Sequence, residues 1–338
     1  MRAARLLAES SCLKLVDLAV PALRPGSVLV RIEAVLITPY HVSLIDGSFG
    51  VDTPPRPFTP GSEAVGTIEA VAGDRGDIGP GTRVFCDSFI ERWVGTERDS
   101  AFIGCFALTP GGQRLLANWP DGALATHMLL PAENVSSIEP ALSRTSMDTL
   151  TRLGWFGTAY SAFERTNFRA GHTVSVLGAN GLLGVCAVLL ALAMGASRVV
   201  AVGRSEAKLA RLRTLDSRVE TAVEPPTGID LAISASSGND PSFIERSLPG
   251  LRDGGALVIL ATPGKPPSVS SLIGRNLSVH GSLWFPRKTV SMLVDMIASG
   301  VLNVDCISSR AYALDDVGAA LAHAQAGVAP LEQVVVRP

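Results

Sequence analysis

Residues 174–205, VSVLGANGLLGVCAVLLALAMGASRVVAVGRS, constrain the fold more than any other stretch of this chain. An apolar run of strand length, residues 174–177, leads into a turn punctuated by Gly178, Gly181 and Gly184. Residues 185–194 then run apolar almost all round without a breaker. Gly195 stops them, and residues 198–202 read as a second strand. Strand, glycine turn, helix and strand in that order predict a βαβ unit. Each glycine has its own duty in such a turn. Gly178 permits the bend, Gly181 lets a pyrophosphate approach the backbone, and Gly184 lets the helix lie close to the strand. Gly178, Ala179, Asn180, Gly181, Leu182 and Leu183 would then hold phosphates on the free N–H groups of the helix N-terminus, where the helix dipole favours negative charge. The spacing departs from a strict G-x-G-x-x-G, so the flanking strand and helix carry the reading.

The rest of the chain divides around this unit. Before residue 146, short β-branched runs such as 27–36, 66–72 and 82–85 alternate with Gly and Pro, which predicts an irregular β-rich domain. Residues 87–119 mix Trp93, Phe102, Phe106 and Trp119 with charges and glycines, and read as a long loop or lobe. From Ser146 the texture turns helical, with Asp148 as N-cap and Leu150, Leu153, Phe156, Tyr160 and Phe163 on one face. Strands at 229–235, 256–260 and 279–283 alternate with helices at 205–215 and 243–251. That rhythm predicts a doubly wound parallel sheet, an α/β fold. Helices at 289–299 and 314–327 and a strand at 334–337 close the chain.

With 338 residues, two domains are expected. A formal net charge of −2 gives no reason to expect nucleic acid or an anionic membrane as partner. No run of about 18 uncharged apolar residues offers a membrane span. Glu9, Lys14 and Asp17 interrupt the N-terminal apolar stretch, so no signal peptide is expected. The five cysteines, Cys12, Cys86, Cys105, Cys186 and Cys306, are scattered without C-x-x-C pairs, which fits reduced thiols in the cytoplasm.

Several motifs now resemble one family. Pro60-Gly-Ser-Glu-Ala-Val-Gly66 is similar to a P-G-H-E-x-x-G stretch, Gly79-Pro-Gly-Thr-Arg-Val84 to a G-D-x-V turn region, and Gly171-His-Thr-Val-Ser-Val-Leu-Gly178 to a G-x-x-V-x-V-x-G approach to the cofactor. Together they resemble the medium-chain dehydrogenase/reductase superfamily over nearly the whole length. The resemblance implies a GroES-like catalytic domain formed by residues 1–145 with 286–338, and a Rossmann cofactor-binding domain over 146–285. Zinc-dependent members place a Cys where Thr38 stands and a His where Ser62 stands, and a third ligand would fall near Gly154. A catalytic zinc needs a set of N, S or O ligands that these positions do not supply, and residues 87–119 offer only Cys105 to a structural zinc. No metal is therefore expected. What remains is similar to the zinc-free branch of quinone oxidoreductases and enoyl reductases. That branch implies hydride transfer to a quinone, an enone or another α,β-unsaturated carbonyl acceptor, a small electrophilic substrate. Pairing through the last Rossmann strand would make it a homodimer.

An acidic residue about 20 residues past the turn usually accepts from the ribose of NAD. Here the position is Gly203, and Arg204 and Ser205 follow, with Lys208 one turn on. A missing carboxylate together with these donors favours the 2′-phosphate of NADPH. Ligands of such sheets bind beyond the carboxyl ends of the strands, which adds Ser234 and Thr262. By resemblance, the backbone of Leu283, Trp284 and Phe285 would hold the nicotinamide amide. For proton transfer, some enoyl reductases carry a Tyr where this chain has Phe49. The nearest alternatives are Tyr40, able to donate to a carbonyl, and His41, able to titrate near neutrality, in the stretch Thr38-Pro-Tyr-His41.

Overall fold

Glycine and proline cut the first half of the chain into short strands, and the second half alternates strands with helices. The computed structural model describes residues 1–8, 10–73, 75–236, 242–261 and 270–338. Two units result: residues 1–153 with 307–328 and 332–338, and residues 154–306 with 329–331.

The first unit runs through β1 (Arg2–Leu6), β2 (Leu13–Asp17), β3 (Ser27–Ile37), α1 (Pro39–Asp46), β4 (Ala64–Val71), β5 (Arg83–Cys86), β6 (Phe89–Val94), β7 (Glu97–Phe102), β8 (Phe106–Ala107), α2 (Gly112–Asn118), β9 (His127–Pro131), β10 (Val135–Ser137) and α3 (Met147–Leu150). The second contains α4 (Leu153–Glu164), β11 (Thr173–Leu177), α5 (Leu182–Ala193), β12 (Arg198–Val202), α6 (Glu206–Arg213), β13 (Val219–Ala222), β14 (Ile229–Ser234), α7 (Ser242–Ser247), β15 (Leu251–Ile259), α8 (Ser270–Ile273), β16 (Ser278–Gly281) and α9 (Lys288–Ala298). The chain then returns to the first unit with β17 (Ser308–Ala313), α10 (Val317–Ala326) and β18 (Glu332–Arg337).

In the first unit the main sheet has the order β10-β5-β4-β3-β18-β17, with β9 also pairing β3. Its core gathers Val28, Val30, Ile32, Val35 and Ile37 from β3 with Ile68, Val84, Met128, Leu130 and Val336. Alternate β3 positions meet different neighbours, and nearly all are buried, which explains why this strand reads as a continuous apolar run. Residues 87–119 are not the loop that the sequence suggests. They form a three-stranded antiparallel sheet, β6-β7-β8, followed by α2. The β6–β7 ribbon leaves Glu91, Arg92, Trp93 and Val94 exposed on both faces, so it carries no alternation to read.

In the second unit the six strands are parallel in the order β13-β12-β11-β14-β15-β16. The order reverses between β11 and β14, the switch point at which such sheets open a crevice. Helix α5 is buried from Leu183 through Ala191, which accounts for its lack of a polar face. Among the described residues no helix is long and apolar enough to cross a membrane.

The units do not divide where the sequence suggests. The first extends to residue 153 rather than 145, because buried Asp148 pairs with Arg337 at 2.7 Å and buried Arg152 donates to Gln333 at 2.7 Å. The return comes at 307 rather than 286, because α9 buries Val290, Leu293, Val294 and Ile297 within the second unit. The helix predicted after Ser146 is split in two, and its cap is Ser146, whose hydroxyl accepts from the Thr149 N–H.

Candidate functional site

The glycine turn of the second unit sits at the carboxyl end of β11. The Gly178 and Ala179 N–H groups both donate to the Val202 carbonyl, at 2.9 and 3.0 Å, which fixes the turn against β12. Gly178 has φ +78°, and a side chain there would also meet Ser236 at 2.9 Å. A Cβ on Gly184 would lie 2.2 Å from the Gly178 carbonyl oxygen, so α5 needs glycine to seat on the turn. Gly181 differs. Its φ of −84° suits any residue, and a Cβ would meet only Gly178 O, at 3.4 Å. Nothing among the described residues demands glycine at 181, so the bare backbone there suits something that comes from outside.

Next to this turn lies a cavity of about 500 Å³, lined by Gly178, Asn180, Gly203, Arg204, Ser205 and Lys208 from the predicted set. The Ser205 hydroxyl caps α6 by accepting from the Lys208 N–H. A Cβ at Gly203 would press on Asn180 Oδ1 at 3.3 Å, which disfavours the acidic residue that NAD-binding units often carry at this position. Among the lining residues that sequence reasoning missed are Val223, Glu224, Phe243 and Arg246. Arg246 pairs with Glu224 at 3.3 Å and lies over the Phe243 ring at 5.4 Å. The acid absent after β12 is thus supplied after β13, but an arginine already engages it. Phe243 and Arg246 stand three apart on α7, a spacing that places both on one face and was visible in the sequence.

Ser234 is buried, and its hydroxyl has no hydrogen-bond partner among the described residues. Ala179 and Leu183 are buried, and Leu182 opens α5. Leu283 is half exposed, while the buried Phe285 ring packs where a Cβ on Gly157 would stand and stacks with Trp284 at 4.5 Å. The Phe285 side chain is therefore core, which leaves its backbone for a ligand. Thr262 lies outside the described residues. The turn and the open backbone at Gly181 suit the pyrophosphate of a nicotinamide dinucleotide.

In the first unit, the predicted catalytic stretch Thr38-Pro-Tyr-His41 opens α1. Thr38 is the N-cap, and its backbone N–H donates to His41 Nδ1 at 3.2 Å, with its hydroxyl 2.8 Å from the same nitrogen. His41 is fully buried, and burial pulls its pKa down from 6.5 to about 4. The expectation that it titrates near neutrality is therefore corrected: it is a neutral imidazole that caps its own helix.

Tyr40 stands differently. Its hydroxyl bonds Ser62 Oγ and donates to Glu63 Oε2 at 3.2 Å, and the Ser62 hydroxyl donates to the same carboxyl oxygen. The Cys105 thiol, from the turn between β7 and β8, belongs to this cluster and is pushed up to about 12 by burial and by Glu63. Burial holds the Tyr40 phenol well above its ordinary range, and negative charge on Glu63 raises it further whenever that carboxyl is ionised, so it stays protonated. Burial likewise raises Glu63, against the hydrogen bonds from Ser62 and Tyr40. The Phe49 ring, 42% exposed, lies 6.2 Å from Tyr40 and 5.5 Å from Phe106.

Hydroxyls thus occupy the two positions where zinc-dependent relatives would carry Cys and His. Thr38 is committed to His41, and Ser62 to Tyr40 and Glu63. No group of three or more His, Cys, Asp or Glu able to hold a metal ion occurs among the described residues. This donor set does not suit a zinc ion.

A β-rich unit and a doubly wound parallel sheet with a phosphate turn define a two-domain dinucleotide-binding fold. The comparisons make it specific. Residues 24–140 match the family described as alcohol dehydrogenase GroES-like domain, and residues 183–299 the family described as zinc-binding dehydrogenase. The chain belongs to the medium-chain dehydrogenase/reductase superfamily. An alcohol dehydrogenase of Cupriavidus necator is 26% identical, with 95% of this chain and 94% of that protein covered. A sorbitol dehydrogenase of Rattus norvegicus is 25% identical, over 94% of this chain and 90% of that one. Among solved structures, one described as a putative zinc-binding dehydrogenase from Sinorhizobium meliloti bound to NADP superimposes with a TM-score of 0.81 at 22% identity, covering 100% of this chain and 99% of that chain.

Proposed function

We propose that this chain is an NADPH-dependent oxidoreductase that works without a metal and directs hydride to a quinone, an enone or another α,β-unsaturated carbonyl compound. The observation that carries the reading is the hydroxyl–carboxyl cluster of Tyr40, Ser62 and Glu63 standing where a metal site would have to be built. An unactivated ketone needs its oxygen polarised strongly, and zinc does this in other enzymes. A conjugated acceptor is already electron-poor at the carbon that receives hydride, so a hydrogen-bond donor at its oxygen suffices. Tyr40, protonated and half-buried, is suited to be that donor. The exposed Phe49 ring beside it suits a flat, apolar substrate. A dinucleotide, when bound, supplies the hydride. The residues of the chain position it: the α5 N-terminus for the pyrophosphate, and Arg204, Lys208 and Ser205 for the 2′-phosphate.

The relatives' names, alcohol and sorbitol dehydrogenase, support oxidoreductase chemistry at large and favour a second reading, a simple alcohol–carbonyl pair as substrate. Two experiments separate the possibilities. A fluorescence titration should give tighter binding of NADPH than of NADH, and Arg204→Ala should weaken NADPH about tenfold while leaving NADH unchanged, the loss of one charge-assisted contact. A preference for NADH would overturn the phosphate assignment. NADPH oxidation should then respond to quinones and enones but not to saturated ketones. Turnover of saturated ketones after metal chelation would favour the second reading.

A further inference from the structure

Glu63 is a carboxyl group in the wrong place for a structural role alone. It is 4% exposed, its side-chain partners are two hydroxyls, and no cation faces it among the described residues. A buried carboxylate without a cation is unfavourable, whereas a buried amide of the same shape is not. A chain that needed only an acceptor for Ser62 and Tyr40 would be served as well by glutamine. The cluster also has one outlet. Thr38, His41, Ser62, Glu63 and Cys105 are all buried, and Tyr40 alone is partly exposed. A sealed acid joined by a hydroxyl to one accessible phenol is the arrangement of a proton wire.

We infer that Glu63 is the proton store of the reaction, and that it recharges Tyr40 through Ser62 each time Tyr40 gives its proton to the reduced substrate. The inference rests on the function proposed above. When hydride adds to the β-carbon of an enone, the π electrons shift and leave negative charge on the carbonyl oxygen. The Tyr40 O–H bond breaks as an O–H bond forms on that oxygen. The Ser62 proton moves to Tyr40, and the Glu63 carboxyl proton moves to Ser62. Glu63 is left as a carboxylate and regains its proton along the same wire in reverse, once product has left and water reaches the Tyr40 hydroxyl, so the substrate has gained one hydride and one proton. Burial supports this role by letting Glu63 keep its proton at a higher pH than an exposed carboxyl. The titratable groups facing it are Tyr40 and Cys105, and both are held neutral. His41, behind Thr38, is neutral as well. Within the cluster, Glu63 is the carboxyl group that can hold and release a proton while Tyr40, Cys105 and His41 stay neutral. Tyr40 is the catalytic residue of this scheme; Ser62 and Glu63 act through it.

The test has a substrate-free arm and a kinetic arm, both on the full chain. Infrared spectra recorded across pH should show a carboxylic acid band that persists above the range of exposed carboxyls. That band should vanish in Glu63→Gln and remain in Tyr40→Phe. In enone reduction, the wild-type kcat should fall as pH rises through the same ionisation. Glu63→Gln should lower kcat about 100-fold, a typical general-acid contribution, and abolish the pH limb. Glu63→Asp should recover part of the rate with the limb displaced. NADPH affinity should be unchanged in all three variants, which also confirms that they fold. A pH limb that survives in Glu63→Gln, or a kcat within threefold of wild type, overturns the relay and leaves the proposed function standing. Tight NADPH binding with no enone or quinone turnover overturns the acceptor reading and the relay together. Failure to bind NADPH removes the cofactor reading itself.

Discussion

Two glycines of one turn divide the work of folding from the work of binding. At Gly184 an added Cβ would collide with backbone, the Gly178 carbonyl oxygen at 2.2 Å and Ala179 Cα at 2.6 Å. Backbone cannot swing aside, so α5 would have to lift from the turn. Gly184→Ala should therefore destabilise the protein by about 1–3 kcal/mol in denaturant unfolding, the usual range for overpacking, despite alanine's better helix propensity. At Gly181 the only neighbour of an added Cβ among the described residues lies at 3.4 Å, an ordinary contact. Gly181→Ala should unfold within about 1 kcal/mol of wild type, the scale of an N-cap change. It should nevertheless lose about tenfold or more in NADPH affinity, because the methyl takes the space of the pyrophosphate. Equal losses of stability in the two variants would mean that both glycines serve packing alone, and the dinucleotide reading of the turn would be wrong.

At the scale of elements, the strongly periodic or all-apolar ones were legible and the weakly patterned ones were not. The βαβ around α5 could be read because its strand and helix are buried nearly throughout. Residues 87–119 could not, because the β6–β7 ribbon has solvent on both faces at its tip, where Arg98 pairs with Glu91 at 3.7 Å, and is buried only toward its base. Strand β17 escaped for the same reason: four of its six residues, Ser308, Arg310, Ala311 and Ala313, are exposed. The candidate site divides likewise. The glycine turn between β11 and α5 is a local motif and could be read. The Tyr40–Ser62–Glu63–Cys105 cluster joins α1, the approach to β4 and the β7–β8 turn, and nothing local in the sequence announces that assembly. The tie between α3 and β18 is another such non-local feature. Gln333, fully buried in β18, accepts from Arg152 Nε at 2.7 Å and donates to the Asp148 carbonyl at 2.6 Å and to Ser309 Oγ at 3.0 Å. Gln333→Leu keeps the bulk of the residue but strands part of a buried guanidinium. It should cost about 3 kcal/mol in equilibrium unfolding, within the range for breaking a buried charged contact. A cost below 1 kcal/mol would mean that water or a rearranged neighbour replaces the amide.

For the molecule as a whole, the open question is what covers the ends of the six-stranded sheet. The two edges differ. On β13, Glu220 is bound to Arg198 of β12 at 2.6 Å, and a charged pair of that kind blunts an edge against further pairing. On β16 the sequence Ser278-Val-His-Gly281 offers no such pair among the described residues. Large apolar side chains stand exposed on either side of it, Ile273 at 85% and Leu283 at 49%. A strand with an unprotected edge and apolar flanks is suited to pair with itself, and a two-fold axis lets both copies satisfy the same groups at once. We propose a homodimer joined antiparallel through β16, which would extend each six-stranded sheet into its partner's. Light scattering on the eluting protein should give twice the chain mass of 35.3 kDa. Gly281→Lys tests the surface: a Cβ there meets nothing within 4 Å among the described residues, which leaves room for the side chain. Each copy would then bring an added positive charge into the paired edge. That variant should elute as a monomer and keep its NADPH affinity, since the cofactor turn lies on β11, three strands inward from this edge. A wild-type monomer at tens of micromolar, or a dimer indifferent to Gly281→Lys, would place the contact elsewhere and leave β16 without a partner to account for its exposed apolar flanks.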